Sequence, residues 1–347
     1  MNKPVSEPRL PGDPLAALPL RTPDGGALNL WDQGLAGRAA LLWFSGPTPS
    51  QALRETLARA LAELDGYETL AYEVTPANPA AQTGSPLELA VDSGEASKVF
   101  GVAAPGIAVL DAARRIAGVF PEAAAEQALS LCRDLFARSA PAAVGAQAPV
   151  LLVPGLFEPA LCRRLIEHWN VSEKRADTVS SSAHGDSYAS AAFKKRRDVW
   201  IADPALLQIL QQRIGRRAVP EIRKAFNFRV VHGEVMRIGC YDSADGGYFR
   251  AHRDNTTPFT AHRQFAMSVN LNTGEYEGGD VRFPEYGRQH YRPDAGGAVI
   301  FSCSLLHEAL PVTKGRRFGL FTFLYDEEGR RAEQRMRQER GLDGARR

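Results

Sequence analysis

Residues 247–255 read GYFRAHRDN. Aromatic and apolar residues alternating with charged ones suit a β-strand, and a strand puts residues i and i+2 on the same face. His252 and Asp254 therefore face the same way if the strand runs through both. They are then either two ligands of a metal or a chance pairing on a strand surface, and the rest of the chain must decide.

A metal needs a third ligand. His307 supplies one in SLLHEALPVTKGRRFGLFTFLY (304–325), a stretch that reads as a strand able to lie across a barrel from the first. Two histidines and one carboxylate on one side of a metal leave three octahedral positions open, which suits non-haem Fe(II) holding a bidentate co-substrate together with O2. A chelating 2-oxo acid also needs a cation for its far carboxylate. Arg317 stands ten positions after His307, on the strand expected after the VTKG turn, and its planar fork matches a carboxylate. Arg316 is expected to face the opposite side. Arg253, between the first two ligands, is expected to point away from them.

The surrounding pattern supports a barrel. From Phe228 onward short runs follow one another: RVVHGEVMRIGCY, GYFRAHRDN, QFAMSVNLN, GGDVRFPEYG, RQHYRPDAGGAVIFSC and RRFGLFTFLYD. SADGG, YEGG, DAGG and TKG separate them as turns. Before them, 151–169 reads as a short strand and an amphipathic helix, and 203–226 as one or two helices. The spacing predicts a double-stranded β-helix, or jelly roll, with flanking helices. The small polar residues of 171–193 suggest a loop that closes as a lid.

YDSADGGYFRAHRD (241–254) followed by HEALPVTKGRR (307–317) resembles the signatures of prolyl-4-hydroxylase-type Fe(II)/2-oxoglutarate dioxygenases. The resemblance spans roughly residues 150–326. It implies His252, Asp254 and His307 as iron ligands, and Arg317 on the 2-oxoglutarate C5 carboxylate with Tyr241 bonding the same group. Where some relatives carry a second tyrosine, this chain has Asn270, so the co-substrate pocket is expected to be slightly different or to use Asn270 as an amide donor. The implied activity is hydroxylation of a C–H bond in a prolyl or other amino-acid residue, or in a small molecule, with release of succinate and CO2. Fe(II), 2-oxoglutarate and O2 are the implied cofactors, with ascorbate as a stimulant.

The first half has another texture. AALLWFS (39–45), QALRETLARALAEL (51–64), YETLAYEV (67–74), GIAVLD (106–111), RIAGVF (115–120) and AAAEQALSLCRDLFA (123–137) read as strand, helix, strand, β-hairpin and helix. That is the order of a thioredoxin-like α/β sandwich. Residues 12–44 resemble the opening of peroxiredoxins, and GVAAPGIAVLDAARRIAGVF (101–120) resembles a later segment of theirs, which implies a cis peptide before Pro105. Peroxidase chemistry needs a low-pKa thiolate at the start of the first helix. SGPTPSQ (45–51) has no cysteine there, so the first domain is expected to lack thiol chemistry. The expected divisions are a domain over 1–140, an Ala/Pro/Gly-rich linker over 141–150, the oxygenase domain over 151–326, and an Arg-rich polar tail over 327–347.

The 347 residues carry 42 Lys+Arg and 40 Asp+Glu, interleaved, so the charge makes no demand for nucleic acid. Cys132, Cys162, Cys240 and Cys303 show no C-x-x-C spacing and suggest reduced, buried thiols in a cytoplasmic protein. No run approaches the roughly 20 apolar residues of a membrane span. The expected partners are a peptide, protein or small-molecule substrate, no nucleic acid, no membrane, and a homodimer. His262 and His290 are expected as surface or packing histidines, FKKRRDVW (193–200) as a solvated loop, and Arg282 and Glu285 as either substrate-mouth residues or an exposed ion pair. Two other functions stay open: a thiol-dependent peroxidase, and a non-catalytic binding protein on an oxygenase fold.

Overall fold

A computed structural model describes residues 9–15, 18–30, 35, 37–63, 69–76, 87–102, 104–138, 147–176, 179–180, 187–188 and 192–339. The chain divides into two compact units, Met1–Ala143 and Val144–Arg347.

In the first unit all six residues of Ala39–Phe44 are buried, because both faces of the strand are covered. Ala40, Leu42 and Phe44 pack on one side with Val74 and Phe100. Leu41 and Trp43 pack on the other with Leu57, Leu61 and Leu129 of the helices Gln51–Glu63 and Ala125–Arg138. This strand pairs parallel with Thr69–Thr75 and antiparallel with Gly106–Leu110, which turns back as a hairpin into Ile116–Pro121. Glu88–Asp92, Leu20–Arg21 and Ala27–Leu28 extend the sheet to seven strands, three more than the sequence reading counted. Two of those are only two residues long, too short to show a period. The Ala104–Pro105 peptide is cis, as expected.

The second unit is built on an antiparallel eight-stranded sheet. At its centre Arg316–Tyr325 lies between Phe265–Asn270 and Arg237–Asp242. Strand alternation sorts the side chains. Ile238, Cys240, Met267, Val269, Phe318 and Leu320 pack under the helices Pro159–Val171, Pro204–Arg217 and Val219–Phe226. Asp203 caps the second of these by accepting from the Ala205 and Leu206 amides, with Pro204 in the first turn. Arg237, Tyr241, Ser268, Arg317 and Phe321 take the other face, where a four-stranded sheet completes a cavity. The smaller sheet runs in the order Phe249–His252, His307–Ala309, Val281–Arg282, His290–Tyr291.

Several expectations change. FKKRRDVW is no solvated loop: Arg197–Trp200 is a strand of the large sheet, and Lys194 and Arg196 are buried while Lys195 is half-buried and Arg197 exposed. Ala148, expected in the linker, is buried, and its amide donates to Tyr291 Oη at 2.9 Å. The rest of that linker over 141–146 lies outside the described residues. So do 177–178, 181–186 and 189–191 of the expected lid, and 340–347 of the tail. The tail begins as the helix Glu327–Glu339. Among the described residues no helix is long and apolar enough to cross a membrane.

Candidate metal centre

The strand Phe249–His252 pairs antiparallel with His307–Ala309, with His252 directly opposite His307 and a register irregularity just before it. The strand stops at His252. Asp254 therefore lies in the turn that follows, not on the strand as expected, and its amide donates to the Cys303 carbonyl at 2.9 Å. That bond brings the carboxylate back between the histidines. Asp254 Oδ1 lies 3.4 Å from His252 Nε2 and Oδ2 lies 3.4 Å from His307 Nε2. The donor atoms of all three residues fall within 4.8 Å of one another, and no fourth histidine, cysteine or carboxylate joins them among the described residues.

Each ring is set by its outer nitrogen. His252 Nδ1 donates to the Arg250 carbonyl at 2.7 Å and His307 Nδ1 to the Leu305 carbonyl at 3.0 Å. A carbonyl only accepts, so each Nδ1 carries a proton, and the Nε2 atoms, turned towards the partner residues, are the ones free to take a metal. Burial holds His307 down to about 4, although Asp254 pulls the other way, so the imidazole is neutral at neutral pH. Burial alone would raise the Asp254 carboxyl, but His307, His252 and Arg263 outweigh it and hold it well below the usual carboxylate range. Two imidazole nitrogens and one ionised carboxylate, with no fourth ligand among the described residues, fit a first-row divalent ion, and the set suits non-haem Fe(II). Phe249, stacked on His252 at 3.5 Å, and Phe301, 4.6 Å from His307, give the cluster an apolar surround.

Across the cavity Tyr241 and Arg317 are register partners, and both are 2 % exposed. The Arg317 guanidinium lies 5.4 Å from the Tyr241 ring centre. Its Nη2 donates to Asn270 Oδ1 at 2.9 Å and reaches Ser268 Oγ at 3.4 Å, so its hydrogen-bond partners among the described residues are neutral. Arg316 is exposed and turned towards Phe318, on the helix side. Asn270 is not a donor to the cavity. Its amide nitrogen is spent on Thr273, Tyr276 and the Pro293 carbonyl, and its oxygen holds Arg317 in place.

The sequence reading missed Arg196 and Arg237, which also line the cavity. The clue for Arg196 was its i, i+2 relation to Asp198 within a charged run. Arg196 grips Asp198 through two bonds of 2.6 and 2.7 Å and donates to Tyr241 Oη at 3.2 Å. Other expectations resolve plainly. Arg253 turns away to Glu285 at 2.7 Å, and Arg282 pairs with Glu308 at 2.5 Å, so no Arg282–Glu285 pair forms. His262 is buried on Glu234 at 2.9 Å, and His290 is exposed beside Asp280. All four cysteines are free and buried. Burial pushes the Cys132 thiol up to about 12, which leaves no thiolate for peroxide at neutral pH.

The family profile described as "2OG-Fe(II) oxygenase superfamily" matches residues 236–325. A PKHD-type hydroxylase of Pseudomonas putida is 33% identical over 184 residues, which are 50% of this chain and 76% of that protein. A PKHD-type hydroxylase of Saccharophagus degradans is 36% identical over 95 residues, 25% of this chain and 41% of that one, so the chain spans well under half of that relative. A Pseudomonas putida prolyl-4-hydroxylase of known structure superposes with a TM-score of 0.40 at 18% identity, over 52% of this chain and 94% of the other, too distant to carry any argument. The profile covers both strands that bear the clustered histidines, and three quarters of the longer relative is matched; the chain belongs to the 2OG-Fe(II) oxygenase superfamily, among its PKHD-type hydroxylases.

Proposed function

We propose that this protein is an Fe(II)- and 2-oxoglutarate-dependent hydroxylase. Its substrate is a prolyl or other amino-acid residue, or a small molecule, oxidised at a C–H bond with release of succinate and CO2. Membership of the superfamily implies Fe(II), 2-oxoglutarate and O2. The observation that carries the reading is the His252–Asp254–His307 cluster facing, across one cavity, a buried arginine whose described partners are all neutral.

His252, Asp254 and His307 would hold Fe(II), and Arg317 the far carboxylate of 2-oxoglutarate. Together these groups supply oxidation of an unactivated C–H bond. The chain's own residues position and insulate. The Nδ1 bonds to Arg250 and Leu305 aim both Nε2 lone pairs, so little reorganisation accompanies loading. Asn270 fixes the Arg317 fork without neutralising it. Tyr241 packs beside that fork with its hydroxyl engaged by Arg196. Phe249 and Phe301 keep water from the reacting centre.

The second unit is read as a double-stranded β-helix on the strength of its two facing antiparallel sheets. The first is read as a thioredoxin-like module without redox chemistry, supported by its parallel and antiparallel pairings and the buried Cys132 thiol. It serves docking or dimerisation. The protein is read as cytoplasmic.

The test is succinate release from 2-oxoglutarate by the purified protein with Fe(II) and O2. The expected result is Fe(II)-dependent succinate that Asp254→Ala abolishes. No succinate above a metal-free control would support a binding protein on an oxygenase fold instead.

A further inference from the structure

The cavity holds more positive charge than iron and 2-oxoglutarate would neutralise. Three arginines line it, Arg317, Arg196 and Arg237. Arg196 takes both oxygens of Asp198. Arg237 is left with a 3.3 Å approach of its Nε to Asp198 Oδ2, too poorly aligned to be a hydrogen bond, and that buried Nε has no hydrogen-bond partner. Its side chain is only 11% exposed, with the guanidinium 5.1 Å from the Trp200 ring and 5.4 Å from the Phe323 ring. The other acids nearby are engaged elsewhere. Glu234 receives Arg263 and His262, and Glu308 receives Arg282. Lys194, buried over the Phe249 ring at 4.3 Å, has its ammonium form disfavoured by burial and by Arg196, and it adds no counter-charge.

Charge bookkeeping then isolates one residue. A divalent metal on Asp254 and a doubly charged 2-oxoglutarate reaching Arg317 would balance. Arg196 and Asp198 cancel. Arg237 remains, a buried guanidinium with an unbonded N–H, a state that costs stability unless an anion completes it. Burial, with Arg196 beside it, brings this guanidinium down to about 10, so it is still charged at neutral pH.

We infer that Arg237 receives a carboxylate of the substrate, so the molecule oxidised is a free amino acid or the C-terminal residue of a chain and not a residue inside one. The inference rests on the oxygenase reading above. It also gives the cavity a direction: the co-substrate carboxylate lies at Arg317, opposite Tyr241, and the substrate carboxylate at Arg237, opposite Phe321 and four residues further along the same strand pair.

The experiment uses the full chain with Fe(II) and 2-oxoglutarate, without O2, and follows the visible charge-transfer band of the complex. The probes are the twenty free L-amino acids, each as the last residue of an acetylated dipeptide, and the carboxamide of each. At least one acid perturbs the band and binds at least about tenfold tighter than its carboxamide. Binding of free acids alone identifies a free amino acid as substrate, and binding of the dipeptides as well identifies a chain end. Arg237→Gln removes the preference for acid over amide and leaves 2-oxoglutarate affinity within about twofold. If no acid is preferred over its amide, or Arg237→Gln keeps the preference, the inference is overturned. It is equally overturned if Arg237→Gln weakens 2-oxoglutarate instead, since Arg237 then serves the co-substrate. Absence of the band in wild type removes the oxygenase reading itself. Should Arg237→Gln fail to fold by circular dichroism, Arg237→Lys decides: acid binding several-fold weaker with 2-oxoglutarate unchanged is required, and unchanged acid binding contradicts the inference.

Discussion

His252 and His307 stand opposite each other on adjacent antiparallel strands, with ring centres 4.3 Å apart and each Nδ1 tied to a main-chain carbonyl. The pairing depends on register. A slip of one residue would turn every side chain of the strand to the other face, and the Asp254–Cys303 main-chain bond returns the Asp254 carboxylate from the turn.

Arg317 and Asn270 form the next relationship with a measurable consequence. Arg317→Gln removes the cation proposed for the 2-oxoglutarate carboxylate, and the dissociation constant should rise by about 10- to 100-fold. Asn270→Ala only loosens the fork, for a rise of several-fold. Asn270→Asp places a charge on the same fork, so it should weaken 2-oxoglutarate more than Asn270→Ala does. Calorimetric titration of the three variants checks the order.

Gly239 lies where Arg196 and Asp198 cross the strand Arg237–Asp242. A Cβ there would come within 2.7 Å of Asp198 Oδ1 and 2.8 Å of Arg196 Cδ. Gly239→Ala should therefore destabilise the second unit by about 1–3 kcal/mol, as overpacking of a tight interior does. A thermal melt lower by several degrees than wild type is the expected observation.

Glu234 gives the pH dependence. Burial would raise its carboxyl, but the bonds from His262 and Arg263 bring it down to about 2 from an ordinary 4.5. A carboxylate lowered on folding contributes stability that is present above its unfolded value and lost as pH falls through the folded one. Glu234→Gln should thus be less stable than wild type at pH 7, and the gap should shrink between about pH 4.5 and 2. Urea unfolding at a series of pH values measures it.

The thiols make a negative test. Burial raises Cys132 to about 12, Cys162 to about 11 and Cys240 to about 12, and holds Cys303 well above 9. A thiol reagent at pH 7.5 should label the folded protein slowly and the urea-unfolded protein at all four cysteines. Rapid labelling of Cys132 in the folded state would reopen the peroxidase reading.

The convergence of His252, Asp254 and His307 was legible in the sequence because its parts are a local pair and a spaced histidine, with Arg317 placed by strand period after a turn. Arg196 and Arg237 were not. In KKRRDVW the composition reads as solvated, and only pairing of Arg197–Trp200 with the strand Arg237–Asp242 buries alternate members of the run. Asn270 was assigned to the right neighbourhood and the wrong bond, since which end of an amide faces an arginine depends on Thr273, Tyr276 and Pro293 closing around it. In the first unit Ala39–Phe44 declared itself through unbroken apolarity, whereas Leu20–Arg21 and Ala27–Leu28 carry too few residues to show any period.

Anaerobic titration of the purified protein with Fe(II) and then 2-oxoglutarate tests the metal centre most directly. Wild type should develop a visible charge-transfer band that saturates with one 2-oxoglutarate per chain, and His252→Ala and His307→Ala should each lack it. A band that persists in both variants would contradict the assignment of these residues as the ligands.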